Sequence, residues 1–241
     1  MTEHRSGFIA IIGRPNVGKS TLLNALLGQK VAAVSPRPQT TRKRQLGILT
    51  IENAQLVFVD TPGIHHARHK LGEFLNYEAE EAADGVDIIM WLVDSSDEPT
   101  EDDIRIADLL NKLPLRAQRL LVLNKIDTLS ADEESARAET FSKMLNHAEV
   151  MKVSATKRLG LDELREKLIS MLPQRPPDYP EEQVTDSYER DIAADLIRES
   201  CLKILRDEVP HSLAVRIDEF KERENGMAYI AATIFVERES Q

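Results

Sequence analysis

The stretch Gly13-Arg14-Pro15-Asn16-Val17-Gly18-Lys19-Ser20 constrains this chain more than any other. An apolar run, Phe8 to Ile12, precedes it, and a helical pattern, Thr21 to Leu27, follows and is closed by Gly28. Strand, glycine-rich loop and helix with the spacing G-x-x-x-x-G-K-S make a phosphate cradle. The glycines let the backbone approach an anion closely. Successive N–H groups converge as a nest at the positive end of the new helix. Lys19 can reach terminal phosphates and the Ser20 hydroxyl can hold Mg²⁺, with Thr21 just behind.

The rest of the chain reads as alternating apolar strands and amphipathic helices. Strands are expected at Gln45–Ile51, Ala54–Asp60, Val86–Asp94, Arg119–Asn124 and Ala148–Val153. Helices are expected at Leu71–Ala83, Glu101–Leu113, Ala131–Leu145 and Leu161–Leu172. Gln29 to Arg44 has neither period and reads as a mobile loop. The expected fold class is α/β, a doubly wound, mostly parallel sheet of the P-loop NTPase kind. Four prolines between Pro173 and Pro180 read as a stiff linker. Beyond it a helix is expected over Ser187–Asp207, with Asp186 and Glu189 as a capping box. Strands at Ser212–Phe220 and Met227–Glu237 would then be joined through Asn225-Gly226. One helix and one hairpin make a thin core, so this second unit reads as incomplete.

Composition narrows the class of protein. The net charge is −10, and residues 181–241 hold eight Lys/Arg against fifteen Asp/Glu, so bulk charge does not draw in nucleic acid. A single cysteine, Cys201, excludes an internal disulfide, suits a reducing cytosol and is spaced as a core residue. No apolar run is long enough to span a bilayer, and the first residues lack a signal-peptide pattern. The expected location is cytoplasmic, with peripheral association at the inner face of the membrane left open. The expected state is a monomer.

Two further motifs fall at expected strand ends. Asp60-Thr61-Pro62-Gly63 follows one strand. There Asp60 can hold Mg²⁺ through water, and the Gly63 N–H can meet a γ-phosphate whose loss on hydrolysis would release the loop. Asn124-Lys125-Ile126-Asp127 follows another. The Asp127 carboxylate can accept from guanine N1–H and the exocyclic amine, a donor pair that adenine lacks on that edge. Asn124 would tie this segment to the phosphate loop, and the Lys125 stem would lie along the base. The plainer alternative for Asp127 is a helix cap. Ser154-Ala155 follows the last strand, where a small side chain lets a backbone N–H approach the guanine oxygen.

In this order the segments resemble the Ras-like GTPase superfamily over Gly7 to about Leu172. G-R-P-N-V-G-K-S with Gln39-Thr40-Thr41-Arg42 resembles its Era branch. The resemblance implies GTP/GDP and Mg²⁺ as cofactors and GTP hydrolysis as the activity. It implies a Mg²⁺-binding switch threonine at Thr40 or Thr41, with Thr41 favoured, beside the metal candidates Ser20 and Asp60. Gln183-Val184-Thr185-Asp186, the following helix, Val209 to Leu213 and the hairpin ending at Val236-Glu237-Arg238 are similar to the start of that branch's KH domain.

The implied organisation is a GTPase domain over 1–174, a proline-rich linker over 175–181, and the N-terminal part of a KH-type α+β domain over 182–241. The G-x-x-G loop with which a KH domain grips RNA does not occur before Gln241, so a C-terminally truncated form is expected. The implied partners of the full-length form are small-subunit ribosomal RNA and the pre-30S subunit, with the nucleotide state governing binding during ribosome assembly. The alternatives are a nucleotide-sensing adaptor that binds no RNA, or an ATP-using P-loop enzyme.

The position of the usual water-orienting glutamine is Ile64, a substitution shared with Era-like GTPases. A related branch places K⁺ with the Asn of its phosphate loop, which here is Asn16. Asn16 therefore either holds a K⁺ that supplies positive charge near the β/γ bridge or braces the loop. Lys19, Thr41, Gly63 and Asn16 are the candidate catalytic residues, and no general base is identified. His65, His66 and His69 are too few ligands on too loose a segment to favour a metal site. Arg37, Arg42, Lys43 and Arg44 read most simply as a solvated basic stretch, and Trp91 as core.

Overall fold

The computed structural model describes residues 4–34, 45–61, 85–114, 116–186, 188–204, 213–223 and 227–236. The expected helix over Leu71–Ala83, Thr40, Thr41, Pro62, Gly63, Ile64, the three histidines, the basic stretch Arg37–Arg44 and the Asn225-Gly226 turn lie outside them.

Six strands form the main sheet: β1 (Arg5–Ile12), β2 (Gln45–Ile51), β3 (Ala54–Asp60), β4 (Ile88–Asp94), β5 (Gln118–Asn124) and β6 (Ala148–Lys152). Their spatial order is β2-β3-β1-β4-β5-β6. Only β2 runs against its neighbour, joined to β3 by a turn through Glu52 and Asn53 that sets Ile51 opposite Ala54. β3 and β4 are buried along their whole length, which is why they read as unbroken apolar runs rather than alternating ones.

The described helices that flank this sheet are α1 (Lys19–Leu27), α2 (Glu101–Lys112), α3 (Ala131–Ser142) and α4 (Leu161–Met171). Alternate residues of each strand serve opposite faces. Ile9 and Ile11 enter a core with Leu22, Leu23, Leu164 and Leu168, whereas Ala10 and Ile12 enter one with Ile106, Leu110 and Phe141. Trp91 is a core residue, meeting Phe141 edge-to-face at 6.1 Å. Such a pair is worth about 0.5–1.5 kcal/mol beyond its area. Thr100 with Asp103 and Ser130 with Glu133 form capping boxes that start α2 and α3 at defined residues.

The proline-rich segment is no free spacer. Pro173 and Arg175 bond to the backbone of β1 and His4, through Ser6 N–H to the Pro173 carbonyl (3.2 Å) and Arg175 N–H to the His4 carbonyl (3.1 Å). The buried Gln55 accepts from the N–H groups of Asp178 and Tyr179 and donates to the Tyr179 carbonyl. The Tyr179 ring meets Phe8 edge-to-face. Proline removes its own N–H donor, so the segment is held through the Pro173 and Tyr179 carbonyls and the N–H groups of the non-proline residues Arg175, Asp178 and Tyr179.

The expected capping box at Asp186 is not formed. The next helix, α5, spans Glu189–Ile204, and the Asp186 carboxylate instead accepts the Leu46 N–H of β2 at 2.9 Å. The Ile48 N–H donates to the Val184 carbonyl at 2.7 Å, so this segment lies along β2. A second sheet pairs β7 (Ala214–Glu222) with β8 (Ala228–Phe235), antiparallel, with an irregularity between Ile217 and Glu219. α5 packs on β7, and Ile230, Ile234 and Phe235 of β8 keep exposed surface.

Candidate functional site: a loop cradle and a base-sized pocket at one end of the sheet

The loop between β1 and α1 turns through left-handed backbone at Asn16 and Gly18. At Gly13 a side chain would collide with the Leu92 carbonyl, and at Gly18 with the Asn124 amide. Gly13 is therefore required by close approach, and Gly18 by close approach together with its left-handed backbone. α1 begins two residues before the expected Thr21, so Lys19 and Ser20 stand in its first turn, where helix N–H groups have no intrahelical partner.

Lys19 is buried, and its ammonium donates to the Gly13 and Arg14 carbonyls at 3.0 and 3.1 Å. Burial pushes its pKa down to about 8, with Asp60 opposing the fall and Arg14 adding to it. A cation already short of compensation gains most from an incoming anion. The Ser20 hydroxyl donates to Asp60 Oδ2 at 3.0 Å, which sets two hard oxygen atoms side by side at the ends of the loop and β3. The Thr61 hydroxyl is spent on the Ile11 carbonyl, bracing the end of β3 against β1.

Asn124 ends β5, buried. Its amide donates to the Val17 carbonyl at 2.8 Å, and its Oδ1 accepts the Ala155 N–H at 3.0 Å. One side chain thus joins the phosphate-type loop to the Ser154-Ala155 loop, as the sequence pattern predicts for its first half. The second half is new: the Ala155 N–H expected to face a base oxygen is shared with Asn124. Ser154 is also committed, its Oγ accepting the Lys157 N–H at 3.1 Å.

Around this bridge lies a pocket of about 280 Å³, lined among others by Asn16, Gly18, Asn124, Lys125, Asp127 and Ala155. Asp127 sits in a short 3₁₀ turn, Ile126–Thr128, ahead of Ser130, which is the residue that caps α3. The alternative reading of Asp127 as that cap therefore fails. Pro15, Val17 and Ile126 shape the two loops without a polar side chain to offer.

Two acids that sequence reasoning passed over complete the site. Asp94, at the end of β4, bonds Lys125 and lies 3.8 Å from the Arg14 guanidinium. Asp103, on α2, accepts from Arg14 Nε at 3.2 Å while also closing its own capping box. Arg14 thus gives the loop its backbone and turns its side chain to these acids. Burial raises the Asp94 pKa, but bonds from Lys125 and Ser96 outweigh it and hold the carboxyl below its ordinary value. The signal was available: an Asp at the end of an apolar strand, in step with Asp60 and Asn124.

Sheet order, loop and pocket define a P-loop GTPase fold. Residues 8–125 match a family described as 50S ribosome-binding GTPase. GTPase Era of Heliobacterium modesticaldum is 44% identical over 241 residues, covering all of this chain and 80% of that protein. GTPase Era of Ruminiclostridium cellulolyticum is 41% identical over 238 residues, covering 99% of the chain and 79% of that protein. A crystal structure of Era with MgGDPNP and nucleotides 1506–1542 of 16S ribosomal RNA superposes with a TM-score of 0.89 at 37% identity, over 98% of this chain and 80% of that one. An Aquifex aeolicus Era variant bound to GDP·AlF4− gives 0.88 at 37% identity, with the same coverage. The chain belongs to the Era family of GTPases. No described helix is long and apolar enough to cross a membrane.

Proposed function

We propose that this chain binds GTP and GDP with Mg²⁺ in the pocket around Asn124, hydrolyses GTP, and uses the nucleotide state to govern binding to small-subunit ribosomal RNA during subunit assembly. The observation that carries the reading is the Asn124 bridge from Val17 to Ala155 beside Asp127 and Lys125. Asp127 reads the guanine edge, Lys125 covers the base, and the loop N–H groups between Gly13 and Thr21, which Pro15 lacks, hold the phosphates with Lys19. Ser20 and Asp60, which already share a hydrogen bond, are the described oxygen ligands suited to Mg²⁺. When bound, the metal offsets charge on the transferring phosphoryl group. Thr41 and Gly63 remain the proposed switch residues.

Catalysis here is mainly positioning and charge stabilisation. Asn16 would hold K⁺, which would supply positive charge beside the transferring phosphoryl group; the alternative role for Asn16 is to brace the loop. Turnover in potassium should exceed that in sodium, and the gain should vanish in Asn16→Ala; an equal gain in both proteins rejects this role.

RNA engagement rests on the Era relatives, one of which was crystallised with a 16S rRNA fragment, while the matched family's description names the large subunit. Residues 1–174 serve as the GTPase unit, 175–181 as its connection, and 182–241 as part of a KH-type unit. A titration of GTP against ATP, followed by a 16S 3′-end RNA with each nucleotide bound, tests the whole reading. ATP competing equally with GTP, or RNA binding indifferent to nucleotide, would overturn it.

A further inference from the structure

The parallel sheet places β4 between the strand that feeds the phosphate-type loop and the strand that feeds the base loop, with Asp94 level with Asn124. Asp94 is 5% exposed and its two oxygens are divided. Oδ1 accepts from the Ser96 N–H and hydroxyl, which fixes the plane of the carboxylate. Oδ2 receives the Lys125 ammonium and faces the Arg14 guanidinium. Lys125 itself leaves a left-handed backbone position, so its stem starts from a fixed direction, and it lines the pocket. Arg14, in turn, is held by Asp103, and its carbonyl accepts from Lys19. One carboxylate thus stands between the lysine of the base loop and the arginine of the phosphate loop.

We propose that Asp94 is a positioning residue for guanine nucleotides: it stretches Lys125 across the purine face and couples the base side of the pocket to the phosphate side through Arg14. This rests on the reading of the pocket as a guanine site. Without Asp94 the Lys125 ammonium loses its anchor and the flexible stem samples many rotamers, so the base loses its cover. Arg14 loses the more distant of its two acidic partners, and its charge then weighs more heavily on the buried Lys19.

The test is stopped-flow dissociation of fluorescent GDP from the full chain and from Asp94→Asn, Asp94→Glu, Lys125→Met and the double variant D94N/K125M. Loss of a charge-assisted bond predicts dissociation about tenfold faster in Asp94→Asn, partly restored in Asp94→Glu. It also predicts no further acceleration when Asp94→Asn is added to Lys125→Met, beyond the smaller part routed through Arg14. IDP, which lacks the 2-amino group, should weaken by the same factor as GDP, because Asp127 and not Asp94 reads that group. Unchanged dissociation in Asp94→Asn with unchanged thermal stability overturns the proposal. So does full additivity with Lys125→Met, which would mark a general structural role. If the parent chain itself fails to hold GDP, the guanine-site reading has failed instead.

Discussion

The Asn124 amide donates to the Val17 carbonyl at 2.8 Å across the spot where any side chain at position 18 would stand. The left-handed backbone at 18 already favours glycine, and a residue more than a hundred positions away closes off the space as well, so each half of the site is shaped to admit the other. Asn124→Ala removes two buried hydrogen bonds and leaves the Val17 carbonyl and Ala155 N–H without their partner. The expected cost is about 2–4 kcal/mol. Calorimetric melting should show a Tm lowered by several degrees, together with weaker nucleotide binding; an unchanged Tm would contradict the bridge.

Asp127→Asn should turn base preference away from guanine and toward xanthine, since the acceptor pair becomes one acceptor and one donor. GDP affinity should fall about 100-fold or more, because two hydrogen bonds to a charged group are replaced by one fit and one clash. Competition by XDP against GDP reads this out, and retained guanine selectivity would remove Asp127 from base recognition.

Lys19 carries a proton linkage with a definite sign. Its folded pKa lies near 8, below its ordinary 10.5, so between those values the unfolded chain holds the proton and the folded chain does not. Its contribution to stability therefore rises with pH through that window. Bound phosphate favours the ammonium, so nucleotide binding at pH 8.5–9.5 should take up close to one proton, and affinity should fall as pH rises. Isothermal calorimetry in two buffers of different ionisation enthalpy measures the uptake. The same experiment on Lys19→Met should show none from this group.

Glu199 of α5 is 2% exposed, pairs with Lys30 at 2.9 Å and accepts the Val34 N–H at 3.0 Å. Glu199→Ala should cost about 1.5–3 kcal/mol in the docking of α5 on the segment after α1. Protease sensitivity near residues 30–34 and 188–204 should rise well before that of the central strands. Cleavage unchanged at both places would show that α5 is held by other contacts.

Much of this molecule was legible from its residues. The β3 and β5 strands and the tight turn at 52–53 follow from local apolar pattern and turn chemistry. The loop glycines and Asn124 follow from a motif with a physical reason. What escaped was long-range. Asp186 looked like a helix cap because Glu189 stands three residues on, yet an unpaired N–H on β2 competed for its carboxylate and won. The prolines announced stiffness but could not announce Gln55, whose amide pins that segment from inside the sheet. Arg14 gave no sequence sign of its acids, because Asp94 and Asp103 belong to two other elements.

The segment lying along β2 has a further consequence. A sheet's outermost strand offers a row of hydrogen-bonding groups to any passing chain, and such rows seed self-association. Here the outward N–H groups of Leu46 and Ile48 are already taken by Asp186 and Val184. The residues that lead into α5 therefore also guard the sheet's flank. A version of the chain ending at Leu172 should precipitate at concentrations where a version ending at Asp186 stays in solution, even though both would carry every described residue of the nucleotide pocket.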